Sequence, residues 1–162
     1  MTKRGPRAKI GDVARVVLPI GCAHIQYVGK HENGIPVIRV GSRLALVPSG
    51  IDSGWFCKGY FALYHFPAAL SQGLIERVGT LPAPEVPQRW RYPNTWPEGR
   101  VTWQISGMGG YKTPEELTAE EVALPVVVIL SQVSLIHRLL HDWRPEKFVR
   151  SEREAYGIDP AL

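Results

Sequence analysis

Five prolines, Pro82, Pro84, Pro87, Pro93 and Pro97, fall within residues 81–99 and constrain this chain more than any other feature. Each fixes φ and removes a backbone donor, so regular structure is not expected there. The same restriction stiffens the unfolded chain, which favours an extended, docked loop. The stretch runs into Arg89-Trp90-Arg91-Tyr92-Pro93-Asn94-Thr95-Trp96-Pro97-Glu98-Gly99-Arg100-Val101-Thr102-Trp103, which holds three of the five tryptophans. Aromatic rings and guanidinium groups stack at low entropic cost, so the segment is a candidate contact surface. Core packing is the competing expectation for Trp90, Tyr92 and Trp96. Arg89 and Arg91 alternate outward from an extended segment and, with Trp96, are the predicted partner-binding residues.

Around this segment the chain reads as short strands and tight turns. Gly11-Asp12 opens a β-branched run, Val13–Leu18, stopped by Pro19. Ala23, Ile25 and Tyr27 alternate with His24, Gln26 and Val28, and Asn33-Gly34 signals a hairpin into Val37–Val40. Leu44–Val47 and Trp55–Phe66 read as further strands, and Pro67 to Gln72 as one or two helical turns stopped by Gly73. Past the prolines, Val101, Trp103 and Ile105 share one face of a strand. Thr113-Pro114-Glu115-Glu116 is an N-cap with a capping-box glutamate, and Val126–Leu130 has strand length. Ser131 or Ser134 then caps a helix with Val133, Ile136, Leu139, Leu140 and Trp143 on one side, expected to pack on the sheet through Ile136, Leu140 and Trp143 before Pro145. The expected fold class is α+β, mostly β: a twisted antiparallel sheet or partly open barrel with one main C-terminal helix packed on it.

At 162 residues and 44% hydrophobic composition, the chain can bury one core, expected over residues 10–147. A basic tail, 1–9, and a charged tail, 148–162, flank it. The first carries Lys3, Arg4, Arg7 and Lys9 and accounts for the whole formal charge of +4. Residues 10–112 hold ten Lys or Arg against six acids, and residues 113–162 hold five against nine. The pI of about 9.2 is therefore largely a property of the tail, and nucleic acid is not the expected partner. No apolar run approaches the ~20 residues of a membrane span, and no secretory signal follows the basic start, so the chain is expected to be cytoplasmic. Cys22 and Cys57 sit in apolar surroundings and read as buried free thiols.

Chemistry-bearing motifs are weak. His137 and His141 share one side of a helix, but no third or fourth ligand accompanies them, and no metal site or cofactor is expected. Gly107-Met108-Gly109-Gly110 lacks the Lys-Ser or Lys-Thr of a phosphate loop and reads as a turn. No Gly-x-Ser-x-Gly elbow anchors a triad, so no catalytic residue is assigned.

The order of motifs, Gly11-Asp12, Leu18-Pro19, Gln26-Tyr27-Val28, Ile38-Arg39-Val40, Phe66-Pro67, Val78-Gly79, Trp90-Arg91, the strand at Trp103, Leu124-Pro125 and Trp143-Arg144-Pro145-Glu146, resembles the immunity protein 26 family of bacterial polymorphic toxin systems. The resemblance spans residues 10–147. It implies a small, mostly β, non-catalytic protein that binds and neutralises a cognate toxin domain, by an interface of roughly 1,200 to 2,000 Å². The alternative is an SH3-like barrel that binds single-stranded RNA or is related to toxin-type endoribonucleases. Gly-Asp leading into a β-branched strand suits such barrels too, and Arg89-Trp90-Arg91-Tyr92 suits base stacking.

Overall fold

The computed structural model describes residues 7–46, 50–98 and 100–145. The tail expected over 148–162 and the first six residues of the basic segment lie outside the described residues. Two compact units emerge: one holds the chain up to Val86 and Ile129–Asp142, the other holds Pro87–Val128 and the chain from Trp143.

The first unit is built on a mostly antiparallel sheet that does not close. Its strands are β1 (Asp12–Leu18), β2 (Gly21–Lys30), β3 (Pro36–Val40), β4 (Tyr60–Leu63) and β5 (Glu76–Thr80), in the order β5-β1-β2-β3-β4. β1 and β2 pair from Val13↔Gln26 to Leu18↔Gly21, and β3 pairs with β4 from Val37↔Leu63 to Val40↔Tyr60. The β-branched alternation of β1 places Ala14, Val16 and Leu18 on one face, where all three are buried. Tyr27 of β2 stacks on Phe66 of helix α1 (Phe66–Ser71) on that same face, with ring centroids 5.4 Å apart.

Helix α3 (Gln132–Leu140) closes the core. Ser131 is its N-cap, accepting from the Ser134 N–H. The Tyr64 hydroxyl donates to Gln132 Oε1, tying the helix to the chain after β4, and burial pushes that phenol up to about 12. The buried stripe is Leu135 and Leu139, with Ile136 and Leu140 half-buried at its margin. Trp143, expected on the same face, lies beyond the helix and is half-buried: Asp142 takes a φ of 47°, which turns the chain one residue before Trp143.

Two strand expectations change in this unit. Of the strand expected over Leu44–Val47, whose last residue lies outside the described residues, the described part holds one bridge, Ala45 to Cys22, with both N–H···O bonds at 2.8 Å. Gly21 permits this approach, since a Cβ there would stand 2.5 Å from the Ala45 carbonyl oxygen. Trp55 and Phe56 belong to a 3₁₀ turn (Ser53–Phe56) capped by Asp52, and the strand begins at Tyr60. Its break follows from Asp52, whose side chain accepts from the Gly54 N–H at 2.8 Å and offers the backbone an alternative to the ladder. Cys22 is buried as expected, whereas Cys57, at the end of that turn, is exposed.

Gly11-Asp12 has a structural explanation. The buried Asp12 carboxylate accepts from the Lys9 N–H at 2.8 Å and from Arg77 of β5, so it fixes the start of β1 against the edge strand. Gly11, at φ 93°, approaches the Leu81 carbonyl where a Cβ would clash at 2.7 Å.

The second unit contains a two-stranded sheet, β6 (Arg91–Thr95) with β7 (Val101–Ile105). Strand β6 was not expected among the prolines, and β7 was expected in the main sheet. The capping-box signal at Thr113 does nucleate a turn, a 3₁₀ segment Pro114–Glu116, followed by helix α2 (Ala119–Val122) capped by Thr118. The five-residue apolar run Val126–Leu130 passes from the second unit into the first, with strand β8 only at Val128–Ile129, and within the first unit the Leu130 N–H donates to the Leu63 carbonyl at 2.8 Å. Among the described residues, no helix is long and apolar enough to cross a membrane.

Candidate functional site, an aromatic and arginine patch on a proline hairpin

Register explains how β6 tolerates a proline. Trp90 accepts from the Ser106 N–H at 2.9 Å, and the Trp96 N–H donates to Arg100 at 2.8 Å. These bonds place the even residues of β6 at the hydrogen-bonded positions of the ladder. Pro93 faces Trp103 at a non-hydrogen-bonded position, where its missing N–H costs nothing within the hairpin. Trp103 instead exchanges backbone hydrogen bonds with Lys112 at 2.7 and 2.8 Å. Arg91 bonds outward too, donating to Pro125 and accepting from Val127, each at 3.0 Å.

The same parity sorts the side chains. Arg91, Pro93, Val101, Trp103 and Ile105 share one face, and the three β7 residues are buried as the alternation predicted. Arg91 is buried with them, 6% exposed, and its guanidinium carbon lies 4.2 Å from the Trp103 ring centroid. A guanidinium over an indole face in a shielded site is an internal cation–π contact that orients both groups. Outward alternation of Arg91 is thus replaced by stacking, because the strand opposite presents Trp103 on that face. Arg89, one residue before the buried Trp90, is exposed.

The other face carries Trp90, Tyr92, Thr102, Gln104 and, at the hairpin end, Trp96. Trp90 is fully buried and meets Tyr92 edge-on at 5.9 Å. Trp96 is 37% exposed. Its indole N–H donates to Thr102 Oγ1 at 3.0 Å, Arg100 lies 5.1 Å from its ring centroid, and Tyr111 meets it edge-on at 6.0 Å. Tyr111 and Met108 are themselves exposed. Arg100 is paired with Glu98 at 3.4 Å, both solvent-facing, a contact that positions the guanidinium more than it stabilises the fold.

Tyr111 and Arg100 were not singled out from sequence. The signal for Tyr111 was present in Gly107 to Gly110, which does turn the chain, so that Lys112 returns beside Trp103. Lys112 is anchored by Glu121, with oxygens at 2.6 and 2.8 Å, and this ammonium holds the Glu121 carboxyl below the usual carboxylate range. Of the three residues predicted for partner binding, Trp96 and Arg89 reach solvent but sit at opposite ends of β6, roughly 20 Å apart along an extended strand. Arg91 lies between them on a buried face.

A second polar cluster occupies the first unit. On β1 and β2, Arg15 and His24 are directly opposed, with Cys22 on the same face. His24 is 2% exposed under the Trp55 ring, at a centroid distance of 3.9 Å, and its Nδ1 makes no hydrogen bond. Burial, with Arg15 adding repulsion, pushes its imidazole down to about 4. A neutral, covered imidazole of this kind holds the 3₁₀ turn on the sheet. Among the described residues, no group of three or more His, Cys, Asp or Glu side chains is arranged to hold a metal ion. No family model, no curated protein and no solved structure matches the chain.

Proposed function

We propose that this is a stoichiometric protein-binding domain of the immunity type, which neutralises a cognate toxin domain by covering it and turns over no substrate. The carrying observation is the group Trp96, Arg100 and Tyr111, three exposed side chains of the residue types that dominate protein interfaces, already held against one another. Trp96 is tethered by Thr102 and Arg100 by Glu98, so little side-chain freedom remains to be lost on docking. Arg89, exposed at the far end of β6, would make a separate contact, and Arg91 acts from within by holding Trp103. The ordered motif set of residues 10–147 supports the toxin-directed reading.

The test is capture of the native partner by the intact chain, followed by affinity measurement on folded variants. Trp96→Ala with Tyr111→Ala should weaken binding at least a hundredfold, about 2.7 kcal/mol. A loss below threefold would place the contact surface elsewhere.

Two exposed rings beside arginine also suit base stacking, and this observation keeps a single-stranded RNA reading in play. Salt separates the two. Affinity for RNA should fall steeply between 50 and 200 mM salt, as expected when phosphate contacts release counterions, whereas aromatic docking on a protein should change little.

A further inference from the structure

We propose that His137 and His141 form a two-imidazole chelate for a divalent transition metal such as Zn2+, Ni2+ or Cu2+, at a site separate from the aromatic hairpin. Sequence spacing alone gave two ligands on one side of a helix. The structure adds that both side chains are exposed on the last turn of α3 and that their rings already touch, with centroids 4.4 Å apart and planes inclined at 45°. The helical bond from the His141 N–H to the His137 carbonyl, 3.1 Å, fixes the two residues one turn apart. Metal–nitrogen bonds of about 2.0 to 2.1 Å require ring nitrogens about 3 Å apart, within reach of two contacting rings by side-chain rotation alone.

The surroundings favour a cation. The C-terminal end of a helix presents carbonyl groups and a partial negative charge, and His141 is the C-cap. The exposed Asp142 follows directly in the chain. The nearest cation in sequence, Arg138, is half-buried in the field of Tyr60 of β4 rather than extended into solvent. Imidazole nitrogen selects Zn2+, Ni2+ and Cu2+ over the oxygen-seeking Mg2+ and Ca2+. Two protein ligands leave the remaining positions to water, so the site is open and exchangeable, unlike a closed structural zinc centre. Because the unfolded chain does not hold the one-turn spacing, bound metal staples the end of α3.

Calorimetric titration of the full chain with NiCl2, and separately with ZnCl2, tests the site. One binding event is expected, weakened at least tenfold by His137→Gln and by His141→Gln, with MgCl2 giving none. Both positions face solvent, and unchanged thermal midpoints without metal would show that the variants remain folded. With metal, the midpoint of the parent chain should rise and those of the variants should not. Undiminished affinity in the double variant, which retains His24, His31 and His65, would overturn the proposal, as would no binding at millimolar metal. Partner capture by the aromatic hairpin should be unaffected by either substitution, so failure here leaves the proposed function standing on its own test.

Discussion

The sheet of the first unit and the hairpin of the second divide their residues between core and surface by different rules. In the sheet, Asp12, His24 and Gln26 are buried and spent on the fold: Asp12 on Arg77 and the Lys9 N–H, Gln26 on the Leu81 and Pro82 carbonyls, and His24 under Trp55. In the hairpin, tryptophan and arginine divide by position. Trp90, Arg91 and Trp103 are buried, whereas Trp96 and Arg100 stay at the surface where the strands end. Burial in a wide sheet is decided by layers above and below, while in a two-stranded ribbon it is decided by parity and distance from the turn. Composition therefore says little about which aromatic or charged residue is available for binding.

The largest expected effects test the buried members of each region. Trp103→Ala should destabilise by about 3 to 5 kcal/mol, since it empties the hairpin's apolar face and leaves Arg91 without its ring. Asp12→Ala should cost less, about 1 to 3 kcal/mol, because it removes the acceptor of the Lys9 N–H and frees the start of β1, while Arg77 is one-third exposed and keeps the Arg7 carbonyl. Urea denaturation measures both. A loss below about 1 kcal/mol for Trp103 would erase the distinction between the buried and exposed halves of the hairpin.

An intermediate effect is expected from pH. The folded-state pKa of His24, about 4, lies below its ordinary value of about 6.5, so between these values the unfolded chain binds the proton more readily. The contribution of His24 is fully present above about pH 6.5 and is lost as pH falls through the window, reaching about 3 kcal/mol near pH 4. His24→Leu should flatten the stability profile between pH 4 and 6.5. An unchanged slope would assign the acid sensitivity to other groups.

The smallest effects belong to surface and margin. Trp143→Ala should cost about 1 to 2 kcal/mol, less than for a core tryptophan, because the residue is half-buried beyond the helix end. Trp96→Ala should cost under about 1 kcal/mol in stability, although its effect on partner binding is expected to be large. If Trp96 instead proved as costly as Trp103, the exposed patch would be part of the core and the contact surface would have to be sought elsewhere.

The strands at Val13–Leu18, Ala23–Tyr27 and Val101–Ile105 were legible because period-two apolar alternation is written directly into local sequence, although β2 is buried on both faces, with the polar His24 and Gln26 inside as well. The caps at Thr113 and Ser131 were legible for a similar reason, since they depend on residues three positions apart. Strand β6 was not, because local propensity counts Pro93 as a breaker, and only its partner strand determines that it faces a position needing no N–H. Strand β5 was missed because its residues, Glu76–Thr80, are exposed or half-buried and show no apolar alternation.

The sequence by itself determined the mostly β class, the positions of the tight turns and the concentration of aromatic and cationic residues in one proline-stiffened segment, since each rests on interactions between near neighbours. Tertiary structure alone decided that β7 pairs with β6, that Arg91 turns inward onto Trp103 while Tyr111 comes to Trp96, and that helix α3 buries Leu135 and leaves Val133 exposed. Register and facing partners are long-range properties: shifting a strand by one residue exchanges its faces at no change in composition, and only the completed pairing fixes which face meets solvent.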